Sequence, residues 1–228
     1  MIDTILGAAV ASAEAFGDPS DTVLFPAEEA LVAGAVDRRR REFATARACA
    51  HSALAALGVP PAPIVPGERG APQWPPGIVG SITHCAGYRA AAVARDRDVL
   101  TVGLDAEPDQ MLPEGVLRLI ALPPERARLR ELAIAAPGPC WDRLLFSAKE
   151  TVYKAWFPLT RRWLGFEDAE VTVNPADGTF EARLLVAPPV IAGGPLTRFT
   201  GRWRVGDGLI LTAITMPAGR SPGQQEDR

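Results

Sequence analysis

The chain has 228 residues, of which 47% are hydrophobic and 22% are charged, a composition typical of a soluble protein with a substantial core. Its net charge of −3 gives no overall attraction to nucleic acid or a membrane surface, and no apolar run is long enough to span a bilayer. Three widely spaced cysteines and two histidines argue against a disulfide framework or a zinc site. We therefore expect a cytoplasmic protein without nucleic acid or membrane partners.

The N-terminal quarter of the chain predicts one long helix and no targeting segment. MIDTILGAAVASA has some apolar character of a signal peptide, but Asp3 stands where such peptides carry Lys or Arg. A helical pattern begins near Pro26, with Glu28 and Glu29 at the positive end of its dipole, and Gly58 ends it. The apolar positions recur at three- and four-residue steps: Phe43, Ala46, Ala50, Leu54 and Leu57.

A loop and three strands follow this helix. The segment PAPIVPGERGAPQWPPG is too rich in proline and glycine for regular structure, so it predicts an ordered loop. Short strands are predicted at residues 78–84, 89–94 and 100–106. A weaker helical pattern covers residues 113–122 and is interrupted by Pro123 and Pro124, after which residues up to 139 give no clear pattern.

The second long helix is predicted over CWDRLLFSAKETVYKAWF, with Pro158 ending it. One face is apolar: Trp141, Leu144, Leu145, Ala148, Val152, Ala155 and Trp156. The opposite stripe is polar: Arg143, Ser147, Glu150 and Lys154. Strands return at residues 170–174, 179–186, 198–205 and 209–216, and Gly206-Asp207-Gly208 joins the last two as a hairpin.

This order repeats a helix followed by strands and predicts an α+β protein of two similar subdomains. Each subdomain would pack one long helix on a small, mostly antiparallel sheet, in a pseudo-twofold arrangement. We place the N-terminal subdomain at residues 1–104, the C-terminal subdomain at 105–217, and a disordered tail at 218–228.

A carboxylate pair lies where the two predicted subdomains meet. In VGLDAEPD, Asp105 and Glu107 are one residue apart at the end of a strand, so their side chains point to the same side. Alone, two solvated acids would be the simpler interpretation, and Glu150 with Lys154 would be an ordinary helix-surface ion pair. A third carboxylate from a separate element, Glu150, is nevertheless what a magnesium site needs, and magnesium commonly completes its shell with phosphate oxygens.

Several groups elsewhere in the sequence could bind phosphate. The loop GERGAP has glycines that let backbone approach a ligand and Arg69 as a fork-shaped donor. Arg40 and Arg47 are seven residues apart on one helix face, although most of the basic run 38–41 is expected to be solvated. Ser81 and Thr83 alternate to one face of the first strand and are expected to form a polar ledge, with His84 at the end of that strand.

The motifs GSITHCAGY, VGLDAEPD and FSAKETVYKAWF, in this order and spacing, resemble those of the 4'-phosphopantetheinyl transferases. The closest type is the single-chain, pseudodimeric kind that serves siderophore, polyketide and nonribosomal peptide synthases. The resemblance continues from RRREFATARACA to GRWRVGDGLILTAI and so covers most of the chain. One departure is Pro66, where related enzymes often have a lysine before the loop glycine; Arg69 is the candidate to supply that charge.

The resemblance implies a reaction and a set of residue roles. Coenzyme A would bind between the halves with Mg²⁺ or Mn²⁺ on its pyrophosphate, and a serine of an apo acyl or peptidyl carrier protein would attack the β-phosphorus. Three matched residues would be metal ligands: Asp105, Glu107 and Glu150. Glu150 would also act as the base, and Lys154 would stabilise the pyrophosphate. The implied coenzyme A contacts are Arg39, Arg40, Arg47, Arg69, Ser81, Thr83, His84, Lys149 and Lys154.

Two other functions use the same residues. A magnesium-dependent phosphohydrolase acting on nucleotides or pyrophosphates would need three carboxylates and nearby cations but no protein acceptor. A non-catalytic coenzyme A-binding module would be favoured by loss of Glu150 or Lys154, and both are present. The transferase is the preferred hypothesis, and it is expected to be a monomer because one chain carries both halves of the cleft.

Overall fold

Two long helices and two antiparallel sheets form the architecture of the computed structural model, which describes residues 1–219. The helices are α1 (Pro26–Leu31), α2 (Asp37–Ala56), α3 (Val116–Ile120), α4 (Pro123–Ala135) and α5 (Trp141–Thr160). The first strands are β1 (Val10–Phe16), β2 (Ile78–Cys85), β3 (Tyr88–Arg95), β4 (Val99–Pro108) and β5 (Ala169–Asn174). The others are β6 (Thr179–Leu184), β7 (Val190–Ile191), β8 (Gly194–Pro195), β9 (Arg198–Gly206) and β10 (Leu209–Pro217).

The strands form two main sheets, one in each half of the chain. The N-terminal sheet has the order β1-β3-β2, and the C-terminal sheet has the order β4-β10-β9-β6-β5, with β7 and β8 forming a separate ribbon. Every pairing is antiparallel. The predicted α+β class, with a long helix on a small antiparallel sheet in each half, is confirmed.

The two sheets pack face to face, with a long helix on each outer side. Ala90 and Ala92 of β3 pack in one core with Leu104 of β4 and Leu211 of β10. The alternate β3 residues, including Val93, pack instead against α2. Because β3 is rich in alanine and buried on both sides, it lets the second sheet approach closely.

Strand β4 lies between this inner core and α5, so its two faces pack against different partners. Leu104 faces the inner core, whereas the Thr101 hydroxyl donates to the carbonyl of Ala155 on α5 at 2.9 Å. Between these two contacts, a Cβ built on Gly103 would lie 2.3 Å from the carbonyl oxygen of Thr151. Gly103 therefore allows α5 to pack against the β4 backbone, and Asp105 follows on the same face.

Most predicted strands agree with the structure to within two residues, but the two long helices differ from their predicted bounds. The helix predicted from Pro26 is two helices, because Val36 adopts an extended conformation and Asp37 begins α2 with an acid at its positive end. Pro158 does not end α5, which continues to Thr160. A proline in the last turn removes only one hydrogen bond near a helix end, and Arg161 with φ 55° forms the C-cap.

Helix α4 and strand β1 were not expected from the sequence. The prolines at 123 and 124 begin α4 instead of interrupting a helix, because the first helical positions need no backbone N–H partner. The Glu125 carboxylate accepts the N–H of Leu122 at 2.6 Å and completes this start. Strand β1 occupies part of the segment with signal-peptide character and pairs with β3.

The expected subdomain boundary between residues 104 and 105 falls inside β4. This strand pairs along its length with β10, so the C-terminal sheet begins at Val99. The predicted disordered tail, residues 218–228, lies almost wholly outside the described residues. Within residues 1–219, none of the helices combines the length and apolar character needed for a membrane span.

Replacing Gly103 with alanine should destabilise the fold, because the new methyl group would meet the Thr151 carbonyl and the Ala155 side chain. Overpacking of this kind costs about 1–3 kcal/mol. Urea unfolding should show this loss for Gly103→Ala. Gly34→Ala is the matched control, since nothing lies within 4 Å of a Cβ there. Equal stability of the two variants would contradict the close approach of α5 to β4.

Candidate active site

A cleft of about 1160 Å³ opens between the two halves of the chain. Its N-terminal wall is formed by α2, the loop before β2, and β2 itself, and its C-terminal wall by the second half of α5. Predicted site residues on the lining are Arg39, Arg47, Arg69, Ser81, His84, Glu150 and Lys154. The cleft therefore brings together groups that are more than 100 positions apart in the sequence.

Asp105 lies beside this cleft in a buried, strongly polar setting. Its Oδ1 accepts a hydrogen bond from Lys154 Nζ at 2.8 Å and from the Thr83 hydroxyl at 3.4 Å. Thr83 Oγ1 also accepts the backbone N–H of Ala106 at 3.0 Å, which aims its own proton at Asp105. Within residues 1–219, Asp105 Oδ2 is buried and has no hydrogen-bond partner.

Glu107 and Glu150 complete an acidic cluster around Asp105. Burial raises the pKa of Glu107, the Asp105 charge raises it further, and Arg143 opposes both effects from a guanidinium nitrogen 3.0 Å from Glu107 Oε2. Burial and Asp105 also raise the pKa of Glu150, with Lys154 acting in the opposite direction. The positive charges beside the carboxylate pair of the sequence are therefore Lys154 and Arg143.

The donor chemistry of this cluster suits a hard divalent cation. Carboxylate oxygens are the ligands that Mg²⁺ and Mn²⁺ prefer, and the free Oδ2 of Asp105 is a buried acceptor that a cation would satisfy. In the part of the chain that the structure describes, no three His, Cys, Asp or Glu side chains already converge as a ligand set. Arg143 holds Glu107, so that carboxylate would have to turn to bind a metal, whereas Asp105 could bind through Oδ2 and keep its contact with Lys154.

Comparisons with known proteins agree with this geometry. A family model described as the 4'-phosphopantetheinyl transferase N-terminal domain matches residues 27–94, and one described as the 4'-phosphopantetheinyl transferase superfamily matches residues 101–192. The chain is 52% identical to 4'-phosphopantetheinyl transferase Svp of Streptomyces mobaraensis over 99% of this chain and 94% of the relative.

Two further relatives match over nearly their full lengths. The chain is 54% identical to 4'-phosphopantetheinyl transferase Npt of Nocardia iowensis, over 94% of this chain and 99% of the relative. It is 52% identical to 4'-phosphopantetheinyl transferase PptT of Mycobacterium tuberculosis, over 91% of this chain and 92% of the relative. The chain belongs to the 4'-phosphopantetheinyl transferase family. It is a coenzyme A-using enzyme that transfers phosphopantetheine to carrier proteins.

Three of the expected coenzyme A contacts of the transferase do not line the cleft: Lys149, Arg40 and Thr83. Lys149 is 3% exposed, and its ammonium donates to the carbonyls of Phe166 and Ala169 at 2.6 and 2.9 Å. Its third contact is an ion pair with buried Glu125 at 2.9 Å. Arg40 is paired with Glu29 and does not line the cleft. In the sequence neither Arg40 nor Lys149 differs from its neighbours, because the partners Glu29 and Glu125 lie on other helices, α1 and α4.

The expected contacts on or beside the N-terminal wall of the transferase differ in their surroundings. Arg47 is nearly buried; its Nε donates to the Ile64 carbonyl at 2.8 Å and its guanidinium lies 4.2 Å from the centre of the Phe43 ring. The pKa of His84 is lowered, first by partial desolvation and then by Arg39 and other nearby cations. Thr83 faces Asp105 instead of the cleft lining, so it supports the acidic cluster.

Sequence reasoning did not assign two residues, Arg143 and Tyr153, to the transferase site. Arg143 was assigned to the polar stripe of α5 but not to Glu107, which it contacts. Tyr153 and exposed Trp163 have ring centres 5.1 Å apart, and Arg69 lies 5.2 Å above the Trp163 ring. These contacts bridge the loop before β2 and the segment after α5, a pairing between distant segments that no local pattern indicates.

Replacing Lys149 with methionine tests whether this lysine is structural. The change leaves the Glu125 carboxylate buried without its cation, which typically costs about 3–5 kcal/mol of unfolding free energy. Denaturant unfolding should show that loss, whereas calorimetry should give an unchanged affinity for coenzyme A. The exposed pair of Arg183 with Glu170 provides the control: Arg183→Met should cost about 0–1 kcal/mol. Weakened coenzyme A binding with unchanged stability would show that Lys149 belongs to the ligand site.

Proposed function

We propose that the cleft binds coenzyme A together with one divalent metal ion, Mg²⁺ or Mn²⁺, and that Asp105, Glu107 and Glu150 hold the metal. The acceptor is the serine hydroxyl of an apo acyl carrier or peptidyl carrier protein. The observation that carries the proposal is the buried, unpartnered Oδ2 of Asp105 beside two carboxylates with raised pKa values. Such a cluster is costly unless a positive group joins it on ligand binding.

The bound metal would neutralise charge on the pyrophosphate of coenzyme A. Lys154 adds a fixed positive charge at the same place, because its ammonium is held by the Leu104 carbonyl at 3.0 Å and by Asp105 at 2.8 Å. An ammonium has three protons, so one remains for a phosphate oxygen. Lys154 would therefore orient the pyrophosphate and stabilise the charge that develops on the leaving group.

Glu150 is the proposed base for the carrier serine. Its side chain lines the cleft, where the carboxylate can accept a proton even though the proposed metal would make it a weaker base than a free glutamate. The serine oxygen would form a bond to the β-phosphorus as the bond to adenosine 3',5'-bisphosphate breaks. The serine proton passes to Glu150 directly or through a water molecule.

Basic groups on the N-terminal wall are proposed to hold the nucleotide end of coenzyme A. Arg39, Arg47 and His84 line the cleft, and Ser81 offers a hydroxyl on the same wall. Arg69 lies in the loop with a positive φ of 53° and takes the place of the lysine missing at Pro66. Positioning and charge neutralisation are the main requirements of phosphoryl transfer, and this wall supplies them.

The enzyme is proposed to act as a cytoplasmic monomer. One chain supplies both walls of the cleft, so a second copy is not needed to complete the site. The three cysteines are unpaired, as expected in a reducing compartment. Light scattering of the purified enzyme tests the monomer, and a stable dimer would contradict it.

Intact-mass spectrometry of an apo carrier protein tests the proposed chemistry. Incubation with the enzyme, coenzyme A and Mg²⁺ should increase the carrier mass by one phosphopantetheine group, and EDTA should abolish the change. Glu150→Gln should slow modification by at least about 100-fold, because it removes the base and a metal ligand. Asp177→Asn, which alters an exposed turn, is the control. Cleavage of coenzyme A with unmodified carriers would favour a phosphohydrolase instead.

A further inference from the structure

Three hydroxyl groups are buried together between α5 and β10. Ser147 and Thr151 lie one turn apart on α5, and Thr212 lies on the facing strand β10. All three residues are 0% exposed. They interrupt an interface that is otherwise apolar, since Ile210 and Ile214 flank Thr212 on the same strand face and pack in the core with α5.

The hydrogen bonds within this hydroxyl cluster (Ser147, Thr151 and Thr212) account for every hydroxyl proton. The Thr212 hydroxyl donates to the backbone carbonyl of Ser147 at 3.0 Å. With that proton placed, the Thr212 oxygen can accept from the Ser147 hydroxyl at 2.8 Å and from the Thr151 hydroxyl at 2.6 Å, and the Thr151 hydroxyl also lies 3.3 Å from the Thr212 carbonyl oxygen. One donor and two acceptor positions are all that a threonine hydroxyl has, so Thr212 is fully used.

The hydroxyl cluster connects α5, which carries Glu150, to β10, the strand that pairs with the ligand-bearing strand β4. On α5, Ser147 precedes Glu150 by three residues and Thr151 follows it directly. On the sheet, Thr212 is the register partner of Asp105 in the antiparallel pair of β10 and β4. A single buried hydroxyl therefore joins the helix turn of Glu150 to the strand position beside Asp105.

Apolar packing alone would leave the position of α5 along the sheet less well defined. Hydrophobic contacts are non-directional. The three hydrogen bonds of the Thr212 hydroxyl are directional and fix the helix turn relative to the strand. A buried hydroxyl without partners is costly, so the three groups are stable only when they meet. The arrangement thus adds directional contacts between α5 and β10 to the hydrogen bond of Thr101 with Ala155 between β4 and α5.

We infer that Thr212, through Ser147 and Thr151, is a positioning residue that sets Glu150 at the correct separation from Asp105 for metal binding. Thr212 itself has no direct role in the chemistry, because all of its hydrogen-bonding capacity is used within the hydroxyl cluster. The inference rests on the proposed metal site. It assigns a function to a strand, β10, that carries none of the proposed ligands or coenzyme A contacts.

The test compares Thr212→Val with Thr212→Ser and Ile214→Val. Valine keeps the shape of threonine and removes the hydroxyl, serine keeps the hydroxyl, and Ile214→Val removes one methyl group from the same interface without touching the hydroxyl cluster. Calorimetry would measure Mg²⁺ binding to each enzyme in the presence of coenzyme A. Carrier modification would give kcat and the KM for the carrier, and thermal unfolding would report stability.

Thr212→Val should weaken Mg²⁺ binding and lower kcat by about 10–100-fold, the usual effect of losing a residue that orients metal ligands, while the KM for the carrier stays unchanged. Thr212→Ser should keep the Mg²⁺ affinity and the kcat of the wild-type enzyme. Ile214→Val should lower the melting temperature without changing Mg²⁺ affinity. If Thr212→Val does not fold, Ser147→Ala removes one member of the cluster. It should show smaller decreases in Mg²⁺ affinity and kcat.

Unchanged Mg²⁺ affinity in Thr212→Val, or an equal loss of Mg²⁺ affinity in Ile214→Val, would overturn the inference. The hydroxyl cluster would then be a purely structural contact. Absence of Mg²⁺ binding by the wild-type enzyme would overturn it as well. Failure of the wild-type enzyme to modify carriers would count against the proposed function alone, because Mg²⁺ binding and its dependence on Thr212 are measured without a carrier.

Discussion

The contact between β4 and α5 is the constraint on which the rest of the site depends. Gly103 lets the helix pack against the strand backbone, and the next residue on that face, Asp105, meets Lys154 of the helix at 2.8 Å. Burial raises the pKa of the helix carboxylate, Glu150, and this contact brings Asp105 close enough for its charge to raise that pKa further. Without the close approach, the carboxylates would be separately solvated and would have ordinary pKa values.

The same strand joins the two halves of the protein. One face of β4 packs on the N-terminal sheet, and Thr83 at the edge of that sheet reaches Asp105. The N-terminal wall supplies basic groups such as Arg39 and His84, whereas the C-terminal half supplies the carboxylates and Lys154. A ligand with phosphates spread along its length would contact both walls, which explains why the cleft lies at the junction of the two halves.

Local periodicity predicted much of this structure and failed where partners come from distant segments. Alternation and turn residues indicated the strands, and every apolar residue predicted for the buried face of α5 is buried, because helical spacing determines that face. Ser147 was placed on the opposite polar stripe and is nevertheless buried, because its partner Thr212 comes from a distant strand. Lys149 could not be distinguished from a cleft residue, since its partner Glu125 lies in a segment without a clear pattern. The small residues of β1 gave no strand signal, because its order comes from pairing with β3.

The central claim is that Asp105 anchors a divalent metal in the coenzyme A complex. Calorimetric titration of Mg²⁺ into the enzyme with coenzyme A bound, for the wild type and for Asp105→Asn, tests it most directly. Asparagine keeps the size of the side chain and removes the charge and one metal-binding oxygen. The account predicts one Mg²⁺ per wild-type chain and loss of that binding in Asp105→Asn. Equal Mg²⁺ affinity in the two proteins would contradict the account.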